Sequence, residues 1–435
     1  RGWLGKETRI SGEVIETPQG MALTARVGGK PGQRFLSKDG DLDSLVSQGA
    51  ELIYTRTQPY RHAVFLMNSP DRKAELFAAL QRLTSHESAM ERKWAYNGLS
   101  VSLRRDGDFR GALAMANKAL RIDPNMNPAV GNLGSAHGAL GHDQQMVDQY
   151  RHFATLKVGK EYDGRIVAAN GCQQKGYLGL TLRDPVMLDK GADCLEASSS
   201  SMSAQAPGLR VETATMRHDP RPALAFTQEA EGGFNPDEAA AATILYRLDG
   251  EMELGASAKL ARLLGLYRAA RAKRANNPDV AAYWAASVAI QSWPYEARIL
   301  AKLGRIDEAA ALIGRTPLDC YDCVRTRGLV AEAQGDRRGA QLWYLAAAKL
   351  GPRLPAAFAD WGRLLANAGR YQSAEPKLKE AVRLAPNWAE PLKEWGDMLA
   401  AQGKRAEALA KYDAALTLAP RWAQLRQARA KVSAR

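Results

Sequence analysis

The last third of the chain reads, from Tyr321 to Pro420, YDCVRTRGLVAEAQGDRRGAQLWYLAAAKLGPRL (321–354), PAAFADWGRLLANAGRYQSAEPKLKEAVRLAPNW (355–388) and AEPLKEWGDMLAAQGKRAEALAKYDAALTLAP (389–420). Each line restates the one before it, position by position. Gly335, Gly369 and Gly403 recur, as do Ala340, Ala374 and Ala408, Ala347, Ala381 and Ala415, and Pro352, Pro386 and Pro420. A glycine turn and a closing proline predict a helix, a turn, a second helix and a stop in every unit. No such pair buries its own apolar stripe, so the units must stack. Gly328, Gly362 and Gly396 fall midway along the first helices. Ala340, Ala374 and Ala408 are their counterparts on the second, so that the two backbones approach closely. Tyr344, Leu378 and Tyr412 take the large-residue slot, and Trp361 and Trp395 precede two of the glycines. Their spacing is the packing period, which predicts core.

A period of about 34 residues with small residues at these offsets resembles the tetratricopeptide repeat. The resemblance implies a mostly α fold, an α-solenoid of antiparallel helix pairs. Residues 421–435 start a further first helix with Arg426 and Arg429 at core positions, as expected of a cap. Nearer the front, Tyr96, Leu99, Ser100, Leu103, Gly107, Phe109, Ala112, Ala116, Ala119 and Pro124 match the same pattern. Val130, Leu133, Gly134, Gly141, Met146, Tyr150 and Phe153 keep its phase.

The front of the chain, 1–58, has a different texture. Ile10, Gly12 and Val14 alternate, Thr17-Pro18-Gln19-Gly20 turns, and Met21, Leu23, Ala25 and Val27 alternate again, which predicts a β-hairpin. Gln33 to Leu36 adds a strand, and Asp41 caps a helix bearing Leu42, Leu45, Val46, Gly49 and Ile53. The expected order is a partial α+β module (1–58), repeat-like helices (59–160), divergent helical repeats (161–290), the C-terminal array (291–420) and the cap (421–435). Within the divergent part, helices are expected over 162–182, 185–197, 208–217, 222–230, 236–248 and 257–275, with loops at 232–233 and 276–278. The chain opens Arg1-Gly2-Trp3 without Met, which suggests a fragment or a processed form.

The net charge is +13, but its cations are spread through the helices; the densest cluster, Arg268, Arg271, Lys273 and Arg274, ends a helix and complements its dipole. No nucleic-acid reader motif accompanies the charge. No apolar run approaches the roughly 18 residues that a membrane span needs, so any membrane contact is expected through a segment outside this sequence. Four cysteines fall as two couples, which favours an oxidising compartment. Cys172 and Cys194 flank the turn at Arg183-Asp184-Pro185 at nearly equal distances, so antiparallel helices would set them opposite each other. Cys320 and Cys323 form a C-x-x-C at a helix start; Asp319 and Asp322 beside them oppose a reactive thiolate, and no β-α-β pattern precedes them. A local structural disulfide or two inert thiols is the plain reading, and a thiol-disulfide oxidoreductase is the enzymatic alternative. No second C-x-x-C, H-E-x-x-H, phosphate-binding glycine loop or G-x-S-x-G is present. The residues therefore suggest no catalytic site, cofactor, metal or small-molecule substrate.

What remains is a binding surface. In the tetratricopeptide family the inner, concave face is lined by first-helix positions that do not pack. Carried over by position, these are Asp322, Arg325, Arg363, Asn367, Lys393, Glu394 and Asp397, with Asn97, Arg104, Arg105 and Asn132 in the front pair. Arg325, Arg363 and Lys393 would form a basic strip for an extended, acidic peptide. The family's chaperone-binding clamp is matched only in scattered members, with Asp322 and Asp397 intruding. The expected function is a non-catalytic protein-interaction scaffold; a basic solenoid that binds nucleic acid is a third reading. The words Gly2-Trp3-Leu4-Gly5, Ile10-Ser11-Gly12-Glu13-Val14 and Thr57-Gln58-Pro59-Tyr60-Arg61, with Cys320–Cys323, also resemble a group of bacterial tetratricopeptide-repeat proteins. That resemblance implies a membrane-anchored scaffold, periplasmic and tethered to the inner membrane rather than cytoplasmic.

Overall fold

The structure, a computed structural model, describes residues 8–67, 69–159, 162–198, 201–219 and 281–434, with a few isolated positions between 264 and 276. The helices expected at 222–230, 236–248 and 257–275, the loops at 232–233 and 276–278, the words at 2–5 and most of the cationic cluster near 270 lie outside the described residues, those isolated positions apart. Among the described residues are one three-stranded sheet and twenty α-helices, and none of these helices is long and apolar enough to cross a membrane. The chain gathers into two compact units, Arg1–Ser102 with Ala114–Pro124, and Leu103–Leu113 with Asn125–Arg435.

In the first unit β1 (Ile10–Thr17), β2 (Gly20–Val27) and β3 (Gln33–Ser37) form an antiparallel meander in which Val14, Leu23 and Phe35 stand side by side. Gly20 makes the first turn at φ +117°, closed to ordinary side chains. Helix α1 (Leu42–Thr57) starts where Asp41 accepts the Ser44 N–H at 3.0 Å. It crosses β2 and β3 with Gly49 against Leu23, which leaves Ile10, Val14 and Ile15 of β1 exposed. Helices α2 (Pro59–Met67) and α3 (Lys73–Leu83) follow, burying Ala63, Leu66, Leu76 and Leu80 together with Leu99. Leu99 belongs to α4 (Ala89–Arg105), where Lys93 pairs with Asp123 at 2.7 Å beyond α5 (Phe109–Ile122).

The second unit holds α6 (Asn127–Ala139), α7 (Asp143–Thr155), α8 (Gly164–Leu182), α9 (Pro185–Glu196), α10 (Ala206–Met216), α11 (Ala281–Gln291), α12 (Trp293–Lys302) and α13 (Ile306–Gly314). The repeat pairs follow: α14 (Tyr321–Ala333) with α15 (Arg337–Leu350), α16 (Pro355–Asn367) with α17 (Tyr371–Leu384), and α18 (Ala389–Ala401) with α19 (Arg405–Leu418); α20 (Ala423–Ala434) closes the row. The architecture is a stack of antiparallel helix pairs of tetratricopeptide type. Gly335, Gly369 and Gly403 sit in the turns with φ between +71° and +80°.

The mid-helix glycines have a more specific partner than the alanine series. A Cβ on Gly362 would lie 2.7 Å from Leu378, one on Gly396 2.5 Å from Tyr412, and one on Gly328 would overlap the Tyr344 ring. The glycine is a socket for the large residue of its own second helix, and the fully buried alanines close the remaining space. Gly134 receives Tyr150 in the same way between α6 and α7. Trp422 just before α20 and Leu425 within it are buried while Arg429 reaches back to Asp413, so the terminal helix caps the core with a polar outer face. Helix α11 carries apolar side chains nearly all round, and the sequence reading missed it for want of a stripe.

Candidate binding face

The middle of the chain does more than extend the stack. Leu178 and Leu182 of α8, with Met146, Val147 and Tyr150 of α7, share one core with Tyr321, Val324, Leu354 and Ala357. Their turns then dock in step onto the starts of successive first helices. The Tyr321 N–H donates to the Gly141 carbonyl at 2.9 Å. Arg353 binds Asp148 at 2.6 Å, and its N–H donates to Gln144. At the α8–α9 turn, Arg183 lies over the Trp388 ring and Asp184 accepts from Asn387 at 3.1 Å. At the end of α10, His218 stacks on Trp422 while Arg421 faces Asp219.

These turns wall one edge of the face built by α12, α14, α16 and α18. Along it runs a ladder of ion pairs between neighbouring repeats: Arg298 to Asp322 (2.9 Å), Arg325 to Asp360 (2.6 Å) and to Asp322 (3.3 Å), and Arg363 to Glu332 (2.6 Å). Lys393 closes on Asp397 at 2.6 Å, and Asp397 also accepts from the Tyr412 hydroxyl. Burial opposes charge on Asp322, yet Arg298 and Arg325 outweigh it and hold the carboxyl well below the usual carboxylate range. Burial likewise opposes charge on Arg363, but Asp360 and Glu332 keep it protonated. Two carboxyls on this face have no cation bonded to them among the described residues. Glu394 is pushed up to about 7 by burial, and Asp143 to about 8 by burial and the charge of Asp322.

The expected basic strip is therefore corrected. Arg325 is only 4 % exposed, and all three cations face a carboxylate of this chain. Spacing placed them on the first helices but could not show that Asp360 and Glu332 lie across from them. Asp360 had a signal: it takes, in its repeat, the slot that Glu394 takes in the next. Asn367 lies exposed at the end of α16. Asn97, in the first unit, is 5 % exposed and hydrogen-bonded to the Tyr60 hydroxyl, so it belongs to the core.

Arg104 stands apart. It makes no ion pair among the described residues, and its Nε is buried without a hydrogen-bond acceptor. Its charge acts on the Tyr150 hydroxyl, which burial nevertheless pushes up to about 12 and which hydrogen-bonds Ser135 of α6 at 3.2 Å. Asn132, half-buried, lies one turn before Ser135 on the same helix. Gln174 of α8, 7 % exposed, packs against Gly131, and its Oε1 has no donor among the described residues. Tyr177 stacks beside Tyr150, and Tyr283 of α11 meets Phe109 edge to face. Gln174, Tyr177 and Tyr283 lie outside the regular repeats, so no periodicity pointed to them.

Both cysteine couples are joined, Cys172 to Cys194 across α8 and α9, and Cys320 to Cys323 at the start of α14. Cys320 and Cys323 are at most 1 % exposed, with Cys320 wedged against Gly141. A substrate thiol would reach that bond only if the junction opened. Among the described residues no group of three or more His, Cys, Asp or Glu is placed to hold a metal ion.

No family model matches the chain, and no curated protein matches it. Among solved structures it is similar to the human IFIT1 dimer with m7Gppp-AAAA, at a TM-score of 0.42 and 15 % identity over 80 % of this chain and 82 % of that one. The repeat architecture rests on this chain's own helices. A stack of helix pairs with an open polar face fits a binding scaffold.

Proposed function

We propose that the chain is a non-catalytic scaffold that holds a protein or peptide partner against the first-helix face of its second unit. The observation that carries this reading is the ion-pair ladder from Arg298 to Glu332. It ties neighbouring repeats together side chain to side chain, so the polar face is organised before a partner arrives and the partner meets a surface already ordered. The buried sulfurs speak against the oxidoreductase alternative, and the paired arginines against a nucleic-acid groove along the C-terminal array. Two disulfides suit an oxidising compartment, so we place the scaffold outside the cytoplasm, tethered through a membrane segment beyond these residues as the bacterial resemblance implies.

Site-specific photocrosslinking in the native cell tests the reading. A photoreactive residue replaces Glu394 on the first-helix face or Lys379, exposed on the second helix α17. The proposal predicts discrete adducts from position 394 and none from 379. Equal adducts from both positions, or from neither, contradict it.

A further inference from the structure

Arg325, Arg363 and Lys393 of the C-terminal array are matched by the chain's own carboxylates, so they have little affinity left for an acidic partner. The front of the same unit differs. There the Arg104 guanidinium has no counter-charge among the described residues, and its Nε is shielded from water without an acceptor. A half-buried guanidinium left unpaired is costly unless something supplies an anion. Gln174, nine-tenths buried, presents an Oε1 that lacks a donor. Gly131 and Ser135, one turn apart on α6, link the two: Gln174 packs on the first, and Tyr150, whose hydroxyl feels the Arg104 charge, bonds the second. Tyr177 and Tyr283 add flat ring surface beside them.

We infer that this face, built by the last turn of α4 with α6, α7, α8 and α11, recognises an acidic side chain within an extended peptide. Its carboxylate lies on Arg104, and a peptide N–H donates to Gln174 Oε1. The two unsatisfied groups define the ligand from opposite ends. Arg104 lacks an anion and Gln174 Oε1 lacks a donor among the described residues. An Asp or Glu residue with its own or the next backbone N–H offers both. The tyrosine rings accept the methylene stem and the peptide plane between them. The inference rests on the proposed scaffold function and moves the acidic-partner preference from Arg325, Arg363 and Lys393 to Arg104.

The test is an array of N-acetylated, C-amidated octapeptides with randomised flanks and a central Glu, Gln or Lys. A Gln-centred set with free carboxy-termini and a short oligoadenylate of matching length are added. Wild type, Arg104→Gln, Arg104→Lys, Gln174→Leu and the exposed control Arg383→Gln are each probed, with thermal melts confirming the fold. The expected result is Glu-centred binding about 10- to 100-fold tighter than Gln-centred binding on wild type. Arg104→Gln abolishes that advantage, Arg104→Lys weakens it because the fork is lost, and Arg383→Gln leaves it intact. Gln174→Leu weakens Glu-centred and Gln-centred peptides alike. A Glu advantage that survives Arg104→Gln overturns the inference. So does binding governed by the free terminus, or oligoadenylate binding that depends on Arg104 without peptide discrimination. Peptides that bind without a Glu preference sink this inference alone, whereas no peptide binding at all sinks the scaffold reading with it.

Discussion

The imidazole of His218 lies flat on the indole of Trp422, ring centroids 3.5 Å apart and planes 4° apart, although the two residues are distant in the chain. His218 reaches that position at φ +53°, in the left-handed region that a side chain enters only under compulsion. Its Nε2 is 3.2 Å from Glu390, and Asp219 next to it faces Arg421. The contact fastens the end of α10 to the start of the capping helix and completes the wall along the first-helix face.

Removing the ring is expected to loosen that wall without unfolding the array. His218→Ala loses the stack and keeps the strained backbone, while His218→Gly loses the stack and relieves the strain. The glycine variant should be more stable than the alanine variant by roughly 0.5–1 kcal/mol. Thermal unfolding of the two proteins measures the difference, and an alanine variant equal to or better than glycine would show that φ at 218 is not constrained in solution.

The glycine sockets make a sharper prediction. Gly362→Val places branched carbons into Leu378, and one neighbour is the Leu378 backbone N–H, which cannot rotate away. The expected cost is about 2–3 kcal/mol in urea unfolding. Gly369→Ala meets no neighbour within 4 Å but sits at φ +71°, so its cost is about 1 kcal/mol.

Stability should fall as pH rises from about 4 to about 8. Glu394 and Asp143 have ordinary values of 4.5 and 3.8 but titrate near 7 and near 8 when folded, burial being the main cause for both. Between those limits the folded chain keeps protons that the unfolded chain has released, so rising pH favours unfolding. Glu394→Gln should raise stability at pH 8 by on the order of 1 kcal/mol and leave it unchanged at pH 4. Melting curves across that range check the sign.

Cys172 and Cys194 lie 22 positions apart and join two helices, whereas Cys320 and Cys323 lie only 3 apart. Loop-closure entropy makes the first couple the more consequential. Cys172→Ser with Cys194→Ser should cost about 3 kcal/mol, and the C-x-x-C double serine variant less. Alkylation of unreduced protein from its native cell, read by mass spectrometry, should find no modified cysteine.

How much of this was legible in the amino-acid sequence depended on distance along the chain. Tyr321 to Pro420 declares its helices and turns because the same packing problem recurs in every unit of the array. The sheet was legible from alternation alone, since β2 and β3 present one face to α1. The docking of Gly141, Asp184 and His218 onto the array was not, because nothing local marks which turn meets which helix start. The ladder was half legible: spacing placed Arg325 and Arg363 on the first helices, and only the fold could show the carboxylates opposite. Arg104 was read as a groove position, but that it meets no carboxylate among the described residues is a property of the fold around it, not of its spacing.

The central claim is that the first helices of the second unit form the face that holds another polypeptide. Hydrogen exchange, followed by mass spectrometry on the chain alone and with its crosslink-identified partner, measures this helix by helix. The account predicts slowed exchange in α12, α14, α16 and α18, with α15, α17 and α19 unchanged. Protection confined to α15, α17 and α19, or spread evenly over both helices of each pair, would contradict it.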